Sequence, residues 1–230
     1  MSEIMDHAEW LAKYMPRMFD QPFDAQQRHA ARTIGLALEG PPGTHNVVRL
    51  SRGGGASVIT IGMIVRAICT GPPRFVVTVS CDSFSARCIR DQVLYELEHN
   101  ERITDAFPAW RRTRYHLRPP RPRYRGPSNS LAFPCAEGST EPGTIVTFCS
   151  WHHSFKGLHA GGVRRPDAVI LDNPFPDGPW TAAGEARICD VVEQRIAFLG
   201  GIDKPVSIAE LVTERPDCLR SVNGEAGRER

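Results

Sequence analysis

No two of the seven cysteines (Cys69, Cys81, Cys88, Cys135, Cys149, Cys189 and Cys218) stand in a CxxC pair. Most lie inside apolar runs, so buried thiols in a reducing compartment are expected, and a disulfide framework or a zinc site is set aside. Long hydrophobic runs are also lacking. The longest, Val58 to Cys69, is too short for a membrane span and contains Arg66. The opening MSEIMDHAEW has no basic start followed by an apolar core. These features predict a soluble, cytoplasmic protein. An excess of one charge is missing too: at a formal +2, net charge alone does not mark a nucleic-acid binder, and any such reading rests on where the charges lie. No internal repeat is visible.

What is present fits one substantial core. At roughly 100–200 residues per domain, 230 residues support one domain plus extensions. Ile4, Ala8, Leu11, Met15 and Met18 recur at helical intervals over 3–19, with Pro16 ending the regular part. A second helix is predicted over 25–38, stopped by Gly40-Pro41-Pro42-Gly43. A strand at 46–50 then runs into the glycine-rich Ser51-Arg52-Gly53-Gly54-Gly55-Ala56-Ser57, and a helix follows over 58–70. A second strand–helix unit is read over 74–80 and 83–100, further strands over 144–149 and 168–171, and a helix near 185–199. Proline and arginine dominate 109–130, which predicts an exposed irregular loop or a hairpin excursion. The expected division is a helical extension over 1–40, an α/β domain over 41–215 and a polar tail over 216–230.

Three segments carry candidate chemistry. In the glycine loop, consecutive backbone amides could wrap phosphates while the Ser57 hydroxyl binds magnesium at the helix start; the alternative is a tight strand-to-helix turn. The lysine that such loops send to the terminal phosphates is replaced by Ala56. Arg165-Pro166-Asp167-Ala168-Val169-Ile170-Leu171-Asp172-Asn173 is an apolar strand ending in an aspartate. At the carboxyl edge of a parallel sheet Asp172 could hold that magnesium, or it could cap a turn before Pro174. Asn173 can hydrogen-bond but cannot act as a general base. The third segment holds Arg111, Arg112, Arg114, Arg118, Arg121, Arg123 and Arg125, interleaved with Tyr115 and Tyr124. It reads either as a phosphate-pairing, base-stacking surface for nucleic acid or as a solvated basic loop. His152, His153 and His159 have no partner at convincing ligand spacing.

The order of Trp10-Leu-Ala-Lys-Tyr-Met-Pro-Arg-Met-Phe19, Pro22-Phe-Asp-Ala-Gln-Gln27, Ser51 to Ser57, Arg74-Phe-Val-Val-Thr-Val79, Leu94-Tyr-Glu-Leu-Glu-His-Asn100, Phe107-Pro108, Gly157-Leu158 and Arg165 to Asn173 resembles the ATPase domain of tailed-phage terminase large subunits. The resemblance implies an α/β, P-loop NTPase-like fold of the additional-strand type, with a mostly parallel sheet flanked by helices. It implies ATP and Mg2+ as cofactors and ATP-driven movement of double-stranded DNA into a capsid. It also implies portal protein, the small terminase subunit and further copies of the chain as partners, in the cytoplasm of a bacterial host cell and not on a membrane. By position, Gln27 falls where such proteins contact adenine, Gly53, Gly54, Gly55, Ala56 and Ser57 on the phosphates, and Ser57 and Asp172 on magnesium. Arg52 is the arginine of the loop and, with Asp172 and Asn173, forms the implied catalytic set. Ala56 for lysine and Asn173 for an acidic residue predict impaired hydrolysis. Residues 201–230 are too few to encode the nuclease that the family usually adds, so DNA cleavage by this chain alone is not expected. The alternative is a non-catalytic nucleic-acid-binding or assembly module, such as a decayed prophage product.

Overall fold

The computed structural model describes residues 5–51, 53–70, 74–107, 130–134, 142–152, 155, 165–174, 186, 189–196, 199 and 205–214. Among these residues five α-helices and six strands follow in the order α1 (His7–Tyr14), α2 (Ala25–Glu39), β1 (His45–Ser51), α3 (Ala56–Thr70), β2 (Phe75–Ser80), α4 (Ser83–His99), α5 (Glu101–Ala106), β3 (Ser130–Pro134), β4 (Pro142–Ser150), β5 (Ala168–Asp172) and β6 (Ser207–Glu214). Local chemistry sets the helix starts. Asp6 accepts from the Ala8 amide at the head of α1, Asp24 and Gln27 form a reciprocal capping box on α2, and Asp82 accepts from the Ser85 amide on α4.

The strands form one sheet in the order β1-β6-β5-β2-β4-β3, in which the β3–β4 pair is antiparallel and every other pair parallel. The fold is therefore α/β with a mostly parallel sheet flanked by helices. β6 lies between β1, which feeds the glycine loop, and β5, which ends at Asp172. An additional-strand fold was expected from the resemblance, but 207–214 was not read as a strand in the sequence, and neither was β3. The helix anticipated over 185–199 is a helical stretch at 189–191 followed by a π-helix, Val192–Ile196, among the described residues.

Side chains alternate across the sheet into two apolar clusters. Val48, Leu50, Val76, Val146, Phe148, Ala168, Ile170, Ala209 and Leu211 face α1, α2, α3 and α4. Val77, Val79, Ile145, Val169, Leu171 and Ile208 face the opposite way, against Phe155, Val192, Ile196 and Leu199. Because β5 and β2 keep this alternation to their ends, Asp172 and Ser80 emerge on the same face as Ile170 and Val76, toward α3. α3 is the central helix, buried from Ile59 to Ile68. Each of its fully buried Ile and Met side chains contributes about 1.5–3 kcal/mol, which is what holds the first turn over the sheet edge. α1 and α2 share that core through Leu11, Met15, Ile34 and Leu38. Within it the buried Arg66 pairs with Glu39 of α2. A Cβ on Gly35 would come to 2.0 Å from His7 Nε2, and one on Gly62 to 2.6 Å from Leu11, so both glycines let the helices meet closely.

One cysteine expectation is corrected. Among the described residues Cys149 is buried, whereas Cys88 and Cys189 are exposed: Cys88 lies on α4, of whose residues only Ala86, Ile89, Val93, Glu96 and Leu97 are buried. No helix among the described residues is long and apolar enough to cross a membrane.

Candidate nucleotide and metal site

At the carboxyl end of β1 the chain turns sharply. The Gly54 amide donates to the Ser51 carbonyl at 2.8 Å, and Gly53 and Gly55 adopt φ of 85° and 82°. Both values lie in the left-handed region that side-chain-bearing residues avoid, so the glycines are a backbone requirement of this turn. α3 begins at once with Ala56. The amides of its first turn have no intrahelical acceptor, and with the helix dipole they make a ready anion site. Gln27 braces the loop from α2: its Oε1 accepts from the Asp24 amide at 3.1 Å and its Nε2 donates to the Gly54 carbonyl at 3.3 Å.

Across the sheet edge, Ser57 Oγ donates to Asp172 Oδ2 at 2.8 Å and Thr60 Oγ1 donates to Oδ1 at 3.1 Å. Ser57 and Thr60 are three apart on α3 and so share one helix face. That geometry brings the glycine loop and the end of β5 together although β6 separates their strands. Burial of Asp172, 3% exposed, pushes its carboxyl above the usual carboxylate range, and the two hydroxyl donors pull it partly back. No ion pair engages Asp172 among the described residues. Ala56 is 8% exposed and packed into the apolar cluster.

Asn173 has φ 45°, and its amide donates to the Leu211 carbonyl at 2.9 Å. Asparagine tolerates this left-handed conformation better than glutamate does, so the backbone itself favours the residue found here. Ser80, at the end of β2, is in register with Asp172 and fully buried; its hydroxyl has no partner among the described residues.

A magnesium ion fits this donor set. Ser57 Oγ and Asp172 Oδ2 are hard oxygen donors, and their 2.8 Å separation is close to the roughly 3 Å between neighbouring ligands of an octahedral ion held at about 2.1 Å. Mg2+ is commonly bound through one or two carboxylates, several waters and the phosphates of its substrate. A site with a single carboxylate therefore suits a metal that arrives with a nucleotide. No cluster of three or more His, Cys, Asp or Glu side chains suited to a free-standing metal occurs among the described residues.

Gln27, Gly53, Gly54, Gly55, Ala56, Ser57, Asp172 and Asn173 thus gather at one sheet edge. Arg52 and the seven arginines from Arg111 to Arg125 lie outside the described residues. Thr60 was missed in the sequence, although its position one helical turn after Ser57 was a usable signal. Ser80 gave no signal beyond standing at a strand end.

No protein-family model matches the chain, and no curated protein does. Its fold is similar to solved phage terminases. The large terminase of bacteriophage HK97 aligns with a TM-score of 0.48 at 11% identity over 95% of this chain and 42% of that one. The large terminase ATPase domain of Thermus phage P74-26 aligns at 0.44 and 17% over 87% and 68%, and the large terminase of the thermophilic bacteriophage D6E at 0.40 and 12% over 84% and 39%. The chain spans less than half the length of the HK97 protein.

Proposed function

We propose that this chain binds Mg·ATP at the glycine loop and serves as a terminase-type packaging ATPase domain of weak hydrolytic power. The observation that carries the reading is the 2.8 Å contact of Ser57 with Asp172 across 115 residues of sequence. It joins a helix-opening hydroxyl, a loop built on left-handed glycines and a strand-end carboxylate at one sheet edge, where α/β sheets bind ligands. In this reading the loop amides hold the phosphates and Gln27 faces the adenine. The metal, when bound, neutralises charge on the phosphates between Ser57 and Asp172. Arg52 supplies the cationic contact that Ala56 lacks. Asn173 orients a water without taking its proton, and hydrolysis is slow because phosphoryl transfer depends on electrostatic positioning. The arginines from Arg111 to Arg125 contact the backbone of double-stranded DNA. Portal protein, the small subunit and neighbouring copies of the chain are the corresponding partners in the host cytoplasm.

The test is a titration with a fluorescent ATP analogue, with Mg2+ and with EDTA. Ser57→Ala and Asp172→Asn should each remove the magnesium-dependent part of the affinity. Binding by the unaltered chain that is indifferent to both substitutions would exclude this site. A second reading, a non-catalytic nucleic-acid or assembly module, is favoured by the replacement of both charged groups, at Ala56 and Asn173. It predicts DNA retention with no nucleotide binding.

A further inference from the structure

Three strand ends lie side by side at the carboxyl edge of the sheet. Ser80 of β2 is in register with Asp172 of β5 on one side and with Ser150 of β4 on the other. The flanking groups are satisfied: Asp172 takes two hydroxyl donors, and Ser150 Oγ accepts from Ser83 Oγ at 3.4 Å. Ser80 is different. It is 0% exposed, yet its Oγ has no partner among the described residues. Thr78, two residues earlier on the same face, also has an unpartnered hydroxyl, but it is paired with Ile170 and Phe148, deeper in the apolar layer. Buried hydroxyls are paired in the great majority of proteins, and one left unpaired beside a candidate metal ligand calls for a partner that arrives later.

We propose that Ser80 is a further residue of this site, whose hydroxyl accepts a hydrogen bond from a water on the magnesium held by Ser57 and Asp172. The proposal rests on reading this edge as a metal–nucleotide site, and it adds to that reading a residue on a third strand. Neighbouring parallel strands lie about 4.8 Å apart, so a side chain in register with Asp172 and on the same face reaches the outer shell of a metal at that carboxylate but not its inner one. Mg2+ gives up its waters reluctantly and typically keeps several. Those waters need acceptors, and Ser80 Oγ supplies one on the side of Asp172 away from β6. Asn173, whose backbone N–H is committed to β6, follows Asp172 in the chain.

Ser80→Ala and Ser80→Cys test this, since neither carries a good acceptor and both keep the volume close. The measurements are Mn2+ affinity by electron paramagnetic resonance without nucleotide, affinity for a fluorescent ATP analogue with Mg2+ and with EDTA, and melting temperature without ligand. The expected result is a weakening of about tenfold, the usual size of an outer-shell effect, in Mn2+ affinity and in the Mg2+-dependent gain. Affinity in EDTA should stay constant, and the melting temperature should be unchanged or raised, because an unpaired buried hydroxyl has been removed. A melting temperature lowered by several degrees would show that the hydroxyl is already in use within the free fold and would overturn the proposal. So would equal Mg2+ dependence in wild type and variants, which would leave the nucleotide reading standing. Mn2+ binding weakened by Ser80→Ala in a chain with no affinity for ATP would keep Ser80 and sink the nucleotide reading. Binding of neither metal nor nucleotide would sink both.

Discussion

Thr60→Val replaces a buried hydroxyl with a methyl of nearly the same size. Thr60 is 0% exposed and its hydrogen bond to Asp172 Oδ1 is 3.1 Å long. When the carboxylate is ionised, losing a charge-assisted bond of this kind costs about 1.5–3 kcal/mol; when it is protonated, the loss falls to the neutral range of about 0.5–1.5 kcal/mol. At roughly 2–4 °C per kcal/mol for a chain of this size, the melting temperature should fall by about 3–12 °C at alkaline pH and by much less in acid. Burial raises the Asp172 carboxyl in the folded protein, so its contribution to stability is present below the unfolded value and is lost as pH rises through the folded one. The Thr60 bond opposes that loss, so the deficit of Thr60→Val grows with pH. The assay is thermal and urea denaturation of both proteins over a series of pH values without ligand, with Thr60→Ser restoring most of the difference. A deficit below about 0.5 kcal/mol, or one equal at every pH, would refute the assignment of Thr60 to the carboxylate.

Asn173→Glu should destabilise the fold by about 1–2 kcal/mol because of the left-handed backbone, whereas Asn173→Gly should be neutral to a few tenths; chemical denaturation of the two variants distinguishes strain from side-chain loss. His7 is pushed below its usual range, chiefly by burial and then by the nearby Arg66, so the unfolded chain binds the extra proton. Stability should decline as pH drops below about 6.5, and His7→Gln should flatten that decline in melting curves. Gly35→Ala should destabilise, since its Cβ would meet His7 Nε2 at 2.0 Å. Combining it with His7→Ala should recover most of the loss, and non-additive denaturation midpoints would demonstrate the contact. Replacing Arg118, Arg121, Arg123 and Arg125 with serine should flatten the salt dependence of DNA retention by about one unit of slope per arginine; an unchanged slope in a folded protein would remove the DNA contact.

The strand–loop–helix around Gly53 to Ser57 was legible because glycine runs and β-branched runs are local signals. So were β2 and β5, whose side chains are buried throughout and whose sequences are apolar or β-branched up to their last residues. β6 was not, for a physical reason. Ile208, Leu211 and Val212 stand at helical spacing, and Glu210 interrupts what should read as an apolar run. Glu210 is tolerated at 9% exposure because its carboxylate meets His45 Nε2 of β1 at 3.4 Å, a partner 165 residues away. Ser57 and Asp172 were recognisable as types at element ends. Thr60 was passed over, although it stands one turn after Ser57, because a threonine inside an apolar helix looks like filler until its face is known. Ser80 was hidden because sheet register is a tertiary property.

The position of β6 also dictates an order of assembly during synthesis. On the ribosome, β2, β4 and β5 emerge before it and can pair among themselves. Among the described residues β1, though packed against α2, has no strand neighbour until residues 207–214 arrive, because its pairing within the sheet is to β6. Until then the nascent chain carries a glycine loop on an unpaired strand and a carboxylate at the end of an open parallel edge, two surfaces that recruit other chains as readily as their own. A chain released before residue 207 could therefore pair at most four of the six strands, β5-β2-β4-β3. Nascent-chain proteolysis should show β5 protected with β2 and β4 first, and β1 protected only once β6 has cleared the exit tunnel.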